Sequence, residues 1–383
     1  MLKNVHIWIP GYIKQALKPK SGLAAKRPTH IIFCIADHFE PRRGKVAIEK
    51  ELERVDKWLS KYEPLAERHW AGDGKILQYT FFYPIDEHTP EVFEKISRFC
   101  EKGFGEIEVH LHHDNDTEAS LRKKLEHAKD IFGKRHYGFV HGNWSLGNSR
   151  KDGKWCGVNN ELAVLKETGC YADFTLPSAP SETQTRKINS IYYAKDTGAP
   201  KPHDFGIDVE VGKTPFDGLM LIQGTLSLNW KSRKFGVIPK IENSEISFNN
   251  PPTAERIDLW IKQGVGVKGK LDWVFVKVHT HGAQDDNLKD DYFKNLEAMF
   301  DCLEKKYDDG INFKLHYVTA REMYNIVKAA EAGESGDPEE YRNYLIVSNA
   351  KKENASAPSG PSNDGLTPSG TVPIFPRDDE YEK

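Results

Sequence analysis

The chain has 383 residues, 38% of them hydrophobic and 11% aromatic, and a chain of this length and composition can bury a large core. Its formal net charge is −3, with 54 lysines and arginines against 57 aspartates and glutamates. Because the two signs are evenly interleaved, no extended basic face is expected, and nucleic acid is excluded as a main partner.

Residues 1–29 are predicted to be an N-terminal extension. The apolar stretch from Val5 to Ile9 is broken by Pro10 and Gly11, so it is too short for a secretion leader or a membrane span. The five cysteines are an odd number without paired spacing, which indicates reduced thiols. We therefore expect a cytoplasmic protein without a membrane span.

Residues 30–332 alternate short apolar runs, polar loops and helical periods, a pattern typical of parallel strands joined by helices. The sequence thus predicts an α/β fold, a distorted (β/α) barrel of about seven strands. The strand candidates are 31–36, 76–83, 106–112, 137–140, 172–175, 219–223, 273–279 and 313–318.

Helices are predicted from apolar residues at helical spacing in 48–59 and 292–303. Thr319 and Glu322 form a capping-box pattern before a further helix, and Thr89 with Pro90 opens a helix that Gly103 closes.

Two segments depart from this alternation. Residues 177–252 consist of short strand-like pieces broken by glycine and proline, and we interpret them as a β-rich insertion over the site. Apolar periodicity ends near Gly333, and 354–376 are rich in serine, proline, glycine and asparagine. Residues 333–383 are therefore predicted to be a disordered tail.

The strongest chemical motif is the run from Glu108 to Asp114. Strand alternation places Glu108, His110 and His112 on one face, with Val109 and Leu111 on the other. Imidazole and carboxylate groups at the end of a strand suit zinc and related divalent ions. This run predicts a metal site rather than a solvated polar strand end.

Two further apolar runs end in potential ligands. His279 and His281 follow the run 273–276 and share one face. Asp37 and His38 follow the first predicted strand, at the edge where barrels of this type carry their active sites. The alternatives are a hydrogen-bonded loop pair and a helix N-cap. We favour site residues in both cases, because His279 and His281 end a buried strand and Pro41 delays any helix after Asp37.

A weaker motif follows the strand 137–140. His141, Asn143 and Trp144 combine hydrogen-bonding groups with an aromatic ring on which a sugar could stack. They are therefore candidate substrate-binding residues, although a turn with Trp144 tucked into the core fits the pattern equally well.

The order of these motifs resembles the polysaccharide deacetylase superfamily, metal-dependent carbohydrate esterases on a distorted (β/α) barrel, over residues 30–327. In that family the first strand ends in paired aspartates, a later strand supplies His-x-x-x-His, and the last carries a catalytic histidine. Asp37 resembles one of the paired acids, and 106–110 resembles the approach to the first ligand histidine. His279 falls where the catalytic histidine is expected. The segments 165–174 and 314–322 also resemble parts of the family's pattern.

The chain departs from that pattern at three positions. Only one acid precedes His38, so either Asp37 is the base, with His38 as a ligand, or the base is missing. The sequence leaves open whether Asp37 is base or ligand. The position four residues after His110 is Asp114. The metal triad would then be completed by Asp114, His112 or His113. The family's arginine-and-proline motif is replaced by 141–144. The resulting candidate metal ligands are Asp37, His38, His110, His112 and Asp114.

The resemblance implies a hydrolase that removes an N- or O-acetyl group from a sugar or polysaccharide precursor. It would use a divalent ion, zinc with cobalt, nickel or manganese as alternatives. Asp37 or Glu40 would be the base, and His279 or His281 the acid.

Two alternatives differ in chemistry. A glycoside hydrolase on the same barrel would use two of the carboxylates Asp86, Glu87 and Glu108, without a metal. A non-catalytic glycan-binding or nucleotide-sugar-binding protein would have kept the barrel and lost its base. Activity without a metal would distinguish the glycoside hydrolase from the metal-dependent deacetylase. Ligand binding without turnover would identify the glycan-binding protein.

Overall fold

A computed structural model describes residues 4–17 and 28–348. The helices in these ranges are α1 (Val5–Ala16), α2 (Ile48–Ala66), α3 (Pro90–Phe99), α4 (Glu118–Phe132), α5 (Glu161–Glu167), α6 (Ala254–Gln263), α7 (Asp290–Tyr307) and α8 (Ala320–Ala332). The strands are β1 (Thr29–His38), β2 (Tyr79–Pro84), β3 (Gly105–Leu111), β4 (Tyr137–His141), β5 (Cys170–Asp173), β6 (Ile191–Ala194), β7 (Ile207–Asp208), β8 (Leu219–Ile222), β9 (Ser227–Lys234), β10 (Ile238–Glu242), β11 (Trp273–Thr280) and β12 (Phe313–Tyr317).

The central sheet is mostly parallel and has the order β11-β1-β2-β3-β4-β5-β8, with β6 and β7 added in antiparallel fashion beyond β8. β12 also pairs with β1 in parallel. Eight parallel strands thus form where the eight apolar runs predict them. The α/β class and the distorted barrel are confirmed.

The distortion is centred on β1. Along one edge β1 pairs with β11, so that Ala36 lies opposite His279. Along its other edge it pairs first with β12, over 29–33, and then with β2, over 36–38. β12 and β2 thus share one edge of β1, and the carboxyl end of β1 extends beyond β12. His38, the last residue of β1, therefore lies at the mouth of the barrel.

The two faces of the sheet carry different cores. The even-numbered β1 residues Ile32, Cys34 and Ala36 belong to the core of the barrel interior. The odd-numbered residues pack outward against helices, in a layer that includes Trp58 of α2 and Leu296 of α7. Strand alternation therefore decides which polar side chains at the strand ends face the barrel mouth and which face the outer layer.

Local signals position the helices. Capping boxes begin α4 at Thr117 and α8 at Thr319, each with the side-chain oxygen accepting from a backbone N–H of the first turn. Pro90 is the first residue of α3, and a short π-helical turn after α3 contains Gly103 in the left-handed region, with φ of 92°.

The segment predicted as an insertion contains β6 to β10. β6, β7 and β8 extend the central sheet, and β9 and β10 form a separate antiparallel pair. Helix α1 of the N-terminal extension packs here, because Trp8 lies in one apolar cluster with Ala179, Ile188 and Leu226. The five cysteines are unpaired.

Residues 333–348 of the predicted tail pack onto the barrel. A 3-10 turn over Pro338–Tyr341 precedes Arg342, whose guanidinium is buried and donates to Asp73 and Glu322. The remainder of the predicted tail, 349–383, lies outside the described residues. Within 4–17 and 28–348, no helix is long and apolar enough to cross a membrane.

Candidate metal centre

Histidines from β1, β3 and β11 meet at the mouth of the barrel. The ring of His38 lies 5.2 Å from that of His110, 5.8 Å from that of His279 and 5.0 Å from that of His281, measured between ring centres. They meet because each occupies an inward-facing position at or just beyond the carboxyl end of its strand. The structure thus brings together the histidines of three separate motifs.

The innermost group comprises His38, Glu40 and His110, which we call the mouth cluster. All three side chains are buried, and one ligand atom of each lies within 4.8 Å of the others. Glu40 is two residues beyond His38, so it returns to the same side of the chain. A histidine and a glutamate from one segment are thereby set against a histidine from a neighbouring strand.

The tautomer of His110 is fixed by the backbone. Its Nδ1 lies 3.0 Å from the carbonyl oxygen of Val140, to which it donates a hydrogen bond, and its Nε2 faces Glu40 Oε1 at 3.3 Å. This is the arrangement of a metal-ligating imidazole, one nitrogen held by a carbonyl and the other free to ligate. The Nε2 of His38 is buried without a hydrogen-bond partner among the described residues.

Glu40 is held in place from both sides. Its Oε2 accepts from Gln284 at 3.3 Å and from Arg43 at 3.2 Å, while its Oε1 faces the histidines. Burial alone would raise the pKa of this carboxyl, but the imidazoles of His110 and His112 that face it outweigh burial and hold the pKa well below its usual range. Glu40 is therefore a carboxylate, the form that binds a cation.

His112 and His281 form the solvent-facing rim, with about a fifth of each side chain exposed. The Nε2 of His112 lies 3.3 Å from Glu40 Oε1, and its Nδ1 lies 3.2 Å from Asp86 Oδ2. Burial opposes protonation of His112, but hydrogen bonds to Asp86 and Glu40 raise its pKa to about 10. A substrate approaching the mouth cluster would meet these two imidazoles first.

His279 lies near the end of β11, and His281 lies just beyond it. His279 is almost fully buried, and burial lowers its pKa well below the ordinary value, with Lys277 adding to the effect. Burial also lowers the pKa of His281, and Glu40 opposes the shift. Burial therefore favours the neutral form of both imidazoles.

Asp37 lies on the opposite face of β1 from His38. Its Oδ2 accepts from the Tyr79 hydroxyl at 2.8 Å, and its Oδ1 accepts from the backbone N–H of Gly282 at 2.8 Å. Burial raises the pKa of this carboxyl to about 7. The structure does not bring Asp37 into the mouth cluster. Instead its carboxylate binds the loop that carries His281.

Gly282 is required at that contact by lack of space. A Cβ there would lie 2.6 Å from Asp37 Oδ2 and 2.6 Å from the indole nitrogen of Trp58. The glycine that follows His281 therefore lets the loop pass against Asp37, which fixes the position of the histidine.

The remaining predicted site residues are not members of the mouth cluster. Asp114 is exposed, and its Oδ1 accepts from the backbone N–H of Trp155 at 2.7 Å. His141 is fully buried and faces Glu161, away from solvent. Asn143 and Trp144 are half-buried with left-handed backbone conformations. The structure thus turns Asp114 and His141 away from the mouth cluster, whereas Gly142, the residue before Asn143, lies against His112 of the rim.

Sequence reasoning named Glu40 only as an alternative base. The signal that could have identified it as a ligand is the His-x-Glu spacing, since residues two apart share one side of an extended chain. Two imidazoles and a carboxylate that are buried, oriented and preorganised fit a divalent transition-metal ion.

Comparisons with known proteins add a distant relationship. No family model matches the chain, and no curated protein matches it. The fold is similar to a crystal structure described as "putative polysaccharide deacetylase from Mycobacterium smegmatis", with a TM-score of 0.40 and 13% sequence identity. The similarity covers 84% of this chain and 98% of that one. The class that fold and site define is an α/β barrel with a cluster of potential metal ligands at its mouth.

Proposed function

We propose that the chain is a divalent-metal-dependent hydrolase that removes an N- or O-acetyl group from a carbohydrate. The observation that carries the proposal is the mouth cluster, where His38, Glu40 and His110 offer ligand atoms within 4.8 Å of one another. It stands at the carboxyl ends of parallel strands, where barrel enzymes place their chemistry. Zinc is the expected ion, and cobalt, nickel or manganese would also suit the ligands.

The chain's own residues divide the work around that cluster. When bound, a divalent ion supplies Lewis-acid activation of an acyl carbonyl and of the attacking water. His281 and His112 stand at the exposed rim, where one would donate a proton to the leaving group. Asp86 orients His112 through its contact with Nδ1, and Asp37 orients the loop of His281 through Gly282.

The substrate class rests on the order of motifs along the chain, which resembles that of carbohydrate deacetylases. The geometry adds one supporting argument. Asp86 contacts His112, and Glu108 is buried and accepts from the backbone N–H of Gly138. Two-carboxylate cleavage of a glycosidic bond is therefore less well supported than acyl hydrolysis.

Acetate release from defined N-acetyl and O-acetyl oligosaccharides tests the proposal. Wild type is compared with His110→Ala, which removes a ligand, and with His127→Ala, which removes an exposed histidine of α4. We expect acetate release by wild type and His127→Ala, and a loss of at least about 100-fold in His110→Ala. New reducing ends without acetate would overturn the proposal in favour of glycoside hydrolysis, and binding without turnover would favour a glycan-binding protein.

A further inference from the structure

A second group of potential ligands lies on the other side of the sheet. His113, His141, Cys156 and Glu161, which we call the outer cluster, offer ligand atoms that all lie within 4.8 Å of one another. They come from four places in the chain: the segment after β3, the end of β4, the loop that follows β4, and the first residue of α5. All four residues are buried.

Strand alternation separates this cluster from the mouth cluster. Val140 faces the core of the barrel interior, while its neighbour Phe139 packs in the outer layer with residues of α4 and α5. His141 shares the outward side with Phe139, and their ring centres are 6.1 Å apart. His113 is one residue after the inward-facing His112 and three after His110, so it lies on the outward side. The two clusters therefore occupy opposite faces of the sheet, with β3 common to both.

The contacts in the outer cluster have the size of a metal coordination sphere. Glu161 Oε1 lies 3.1 Å from His113 Nε2 and 3.4 Å from His141 Nε2. Glu161 Oε2 lies 3.4 Å from Cys156 Sγ. Bond lengths of about 2.0–2.3 Å in a tetrahedral zinc site place donor atoms roughly 3.3–3.8 Å apart. Small shifts of buried side chains would bring all four donors onto one ion.

The imidazole of His141 points an unused nitrogen into the cluster. Its Nδ1 lies 2.5 Å from the carbonyl oxygen of Gly142, to which it donates. Its Nε2 is buried without a hydrogen-bond partner among the described residues. A buried polar atom without a partner costs free energy, and coordination of a cation would remove that cost.

The surroundings of His113 complete the arrangement. Its Nδ1 lies 3.1 Å from Asp116 Oδ2, so that Nε2 faces Glu161. A carboxylate behind a histidine is the usual outer partner of a zinc ligand. The backbone N–H of Asp116 also donates to the carbonyl oxygen of Cys156 at 2.9 Å. The same aspartate thus positions two members of the cluster.

We propose that His113, His141, Cys156 and Glu161 bind a structural zinc ion. Four protein ligands and complete burial leave no open position, which is the arrangement of a structural rather than a catalytic zinc. The ion would tie the loop 142–160 and the start of α5 to the ends of β3 and β4. Since β3 also carries His110, the ion would support the mouth cluster from behind. The proposal does not rest on the proposed function.

Cobalt substitution tests the outer cluster selectively, because a thiolate ligand gives cobalt(II) a sulfur-to-metal charge-transfer absorption and the mouth cluster contains no cysteine. Full-length protein is produced in cobalt-supplemented minimal medium as wild type, Cys156→Ser and Cys170→Ser. Cys170 is a matched control, since it is buried in the same apolar layer outside the cluster. We expect the band in wild type and Cys170→Ser, and its loss in Cys156→Ser.

Two results would overturn the proposal: a wild-type protein without the band, or a Cys156→Ser protein that keeps it. X-ray absorption at the zinc edge of wild-type protein provides a measurement that needs no variant. We expect a sulfur neighbour at about 2.3 Å. Zinc surrounded by nitrogen and oxygen alone would contradict the proposal, even if the protein were an active, metal-dependent hydrolase.

Discussion

The four residues from Asp37 to Glu40 show how strand alternation distributes chemistry. His38 and Glu40 face the barrel mouth, and Phe39 is buried in the outer apolar core. Asp37, also on the outer side, is bound to Tyr79 and Gly282. Asp37, His38 and Glu40 lie close together in sequence, but they have different roles in the fold. His38 and Glu40 are potential metal ligands, and Asp37 is a positioning carboxylate.

Replacement of Asp37 by asparagine tests this division. The new amide oxygen can still accept from the Gly282 N–H, but the amide N–H then faces the Tyr79 hydroxyl, which loses its bond to the carboxylate, at a cost of about 1–3 kcal/mol in the free energy of unfolding. We expect Asp37→Asn to keep the metal content of wild type, because Asp37 lies outside the mouth cluster. Denaturant unfolding and elemental analysis measure both effects. Loss of metal in a folded Asp37→Asn protein would instead make Asp37 a ligand.

At the scale of elements, capping determines where α8 begins. Thr319 Oγ1 accepts from the backbone N–H of Glu322 at 3.2 Å and donates to Glu106 Oε2 at 3.0 Å. Thr117 caps α4 in the same way at an exposed position, accepting from Ser120 at 3.2 Å. The two capping boxes differ mainly in burial and in the additional bond to Glu106.

We therefore expect Thr319→Ala to destabilise the protein more than Thr117→Ala. Loss of an exposed cap costs about 1 kcal/mol, and the buried Glu106 contact adds about 1–2 kcal/mol. Chemical denaturation of the two variants beside wild type gives the comparison. Equal losses would show that the bond to Glu106 contributes nothing to stability.

The elements themselves could be predicted from sequence because each parallel strand is a short apolar run. All eight predicted runs become parallel strands, and the helices at 48–59 and 292–303 begin within a few residues of the predicted positions. The gathering of His38, His110 and His279 also follows from the sequence, since carboxyl ends of parallel strands meet at one edge.

The partners within the site could not be predicted in the same way. Whether Asp114 or Glu40 joins the histidines depends on the path of the chain after each strand, which no periodicity fixes. The outer cluster brings together Cys156 and Glu161 from a loop and a helix start with His113 and His141. Such contacts depend on tertiary packing and cannot be predicted from the spacing of residues along the chain.

At the scale of the whole molecule, the segment after α8 is bonded to the loop before β2 and to the end of β12 through Arg342. The buried carboxylate of Asp73 accepts from His316 Nδ1 at 2.7 Å and from Arg342 at 2.6 Å. Burial would raise the pKa of Asp73, but the hydrogen bond from His316 and the charge of Arg342 hold it far below its ordinary value of 3.8. A strand, a loop and the last described segment are thus joined by one ionic group.

Asp73→Asn is expected to destabilise the protein by about 1.5–3 kcal/mol at pH 7, because it removes a buried carboxylate that accepts from both His316 and Arg342, while Arg342 keeps its bond to Glu322. Because the pKa of Asp73 is lower in the folded than in the unfolded protein, its carboxylate stabilises the fold above pH 3.8. This stabilisation is lost as the pH falls through the folded-state pKa. The difference between wild type and variant should therefore shrink below about pH 4. Urea unfolding from about pH 3 to 8 measures it, with the exposed Asp291→Asn as control. A difference independent of pH would contradict this explanation.

Metal content per chain tests the central claim most directly. Wild type, His110→Ala and His127→Ala are purified identically without chelator and examined by elemental analysis. We predict that His127→Ala matches wild type, and that His110→Ala contains one ion fewer per chain while remaining folded. Equal metal content in wild type and His110→Ala, or a folded wild type that binds no divalent ion at the mouth cluster, would contradict the account.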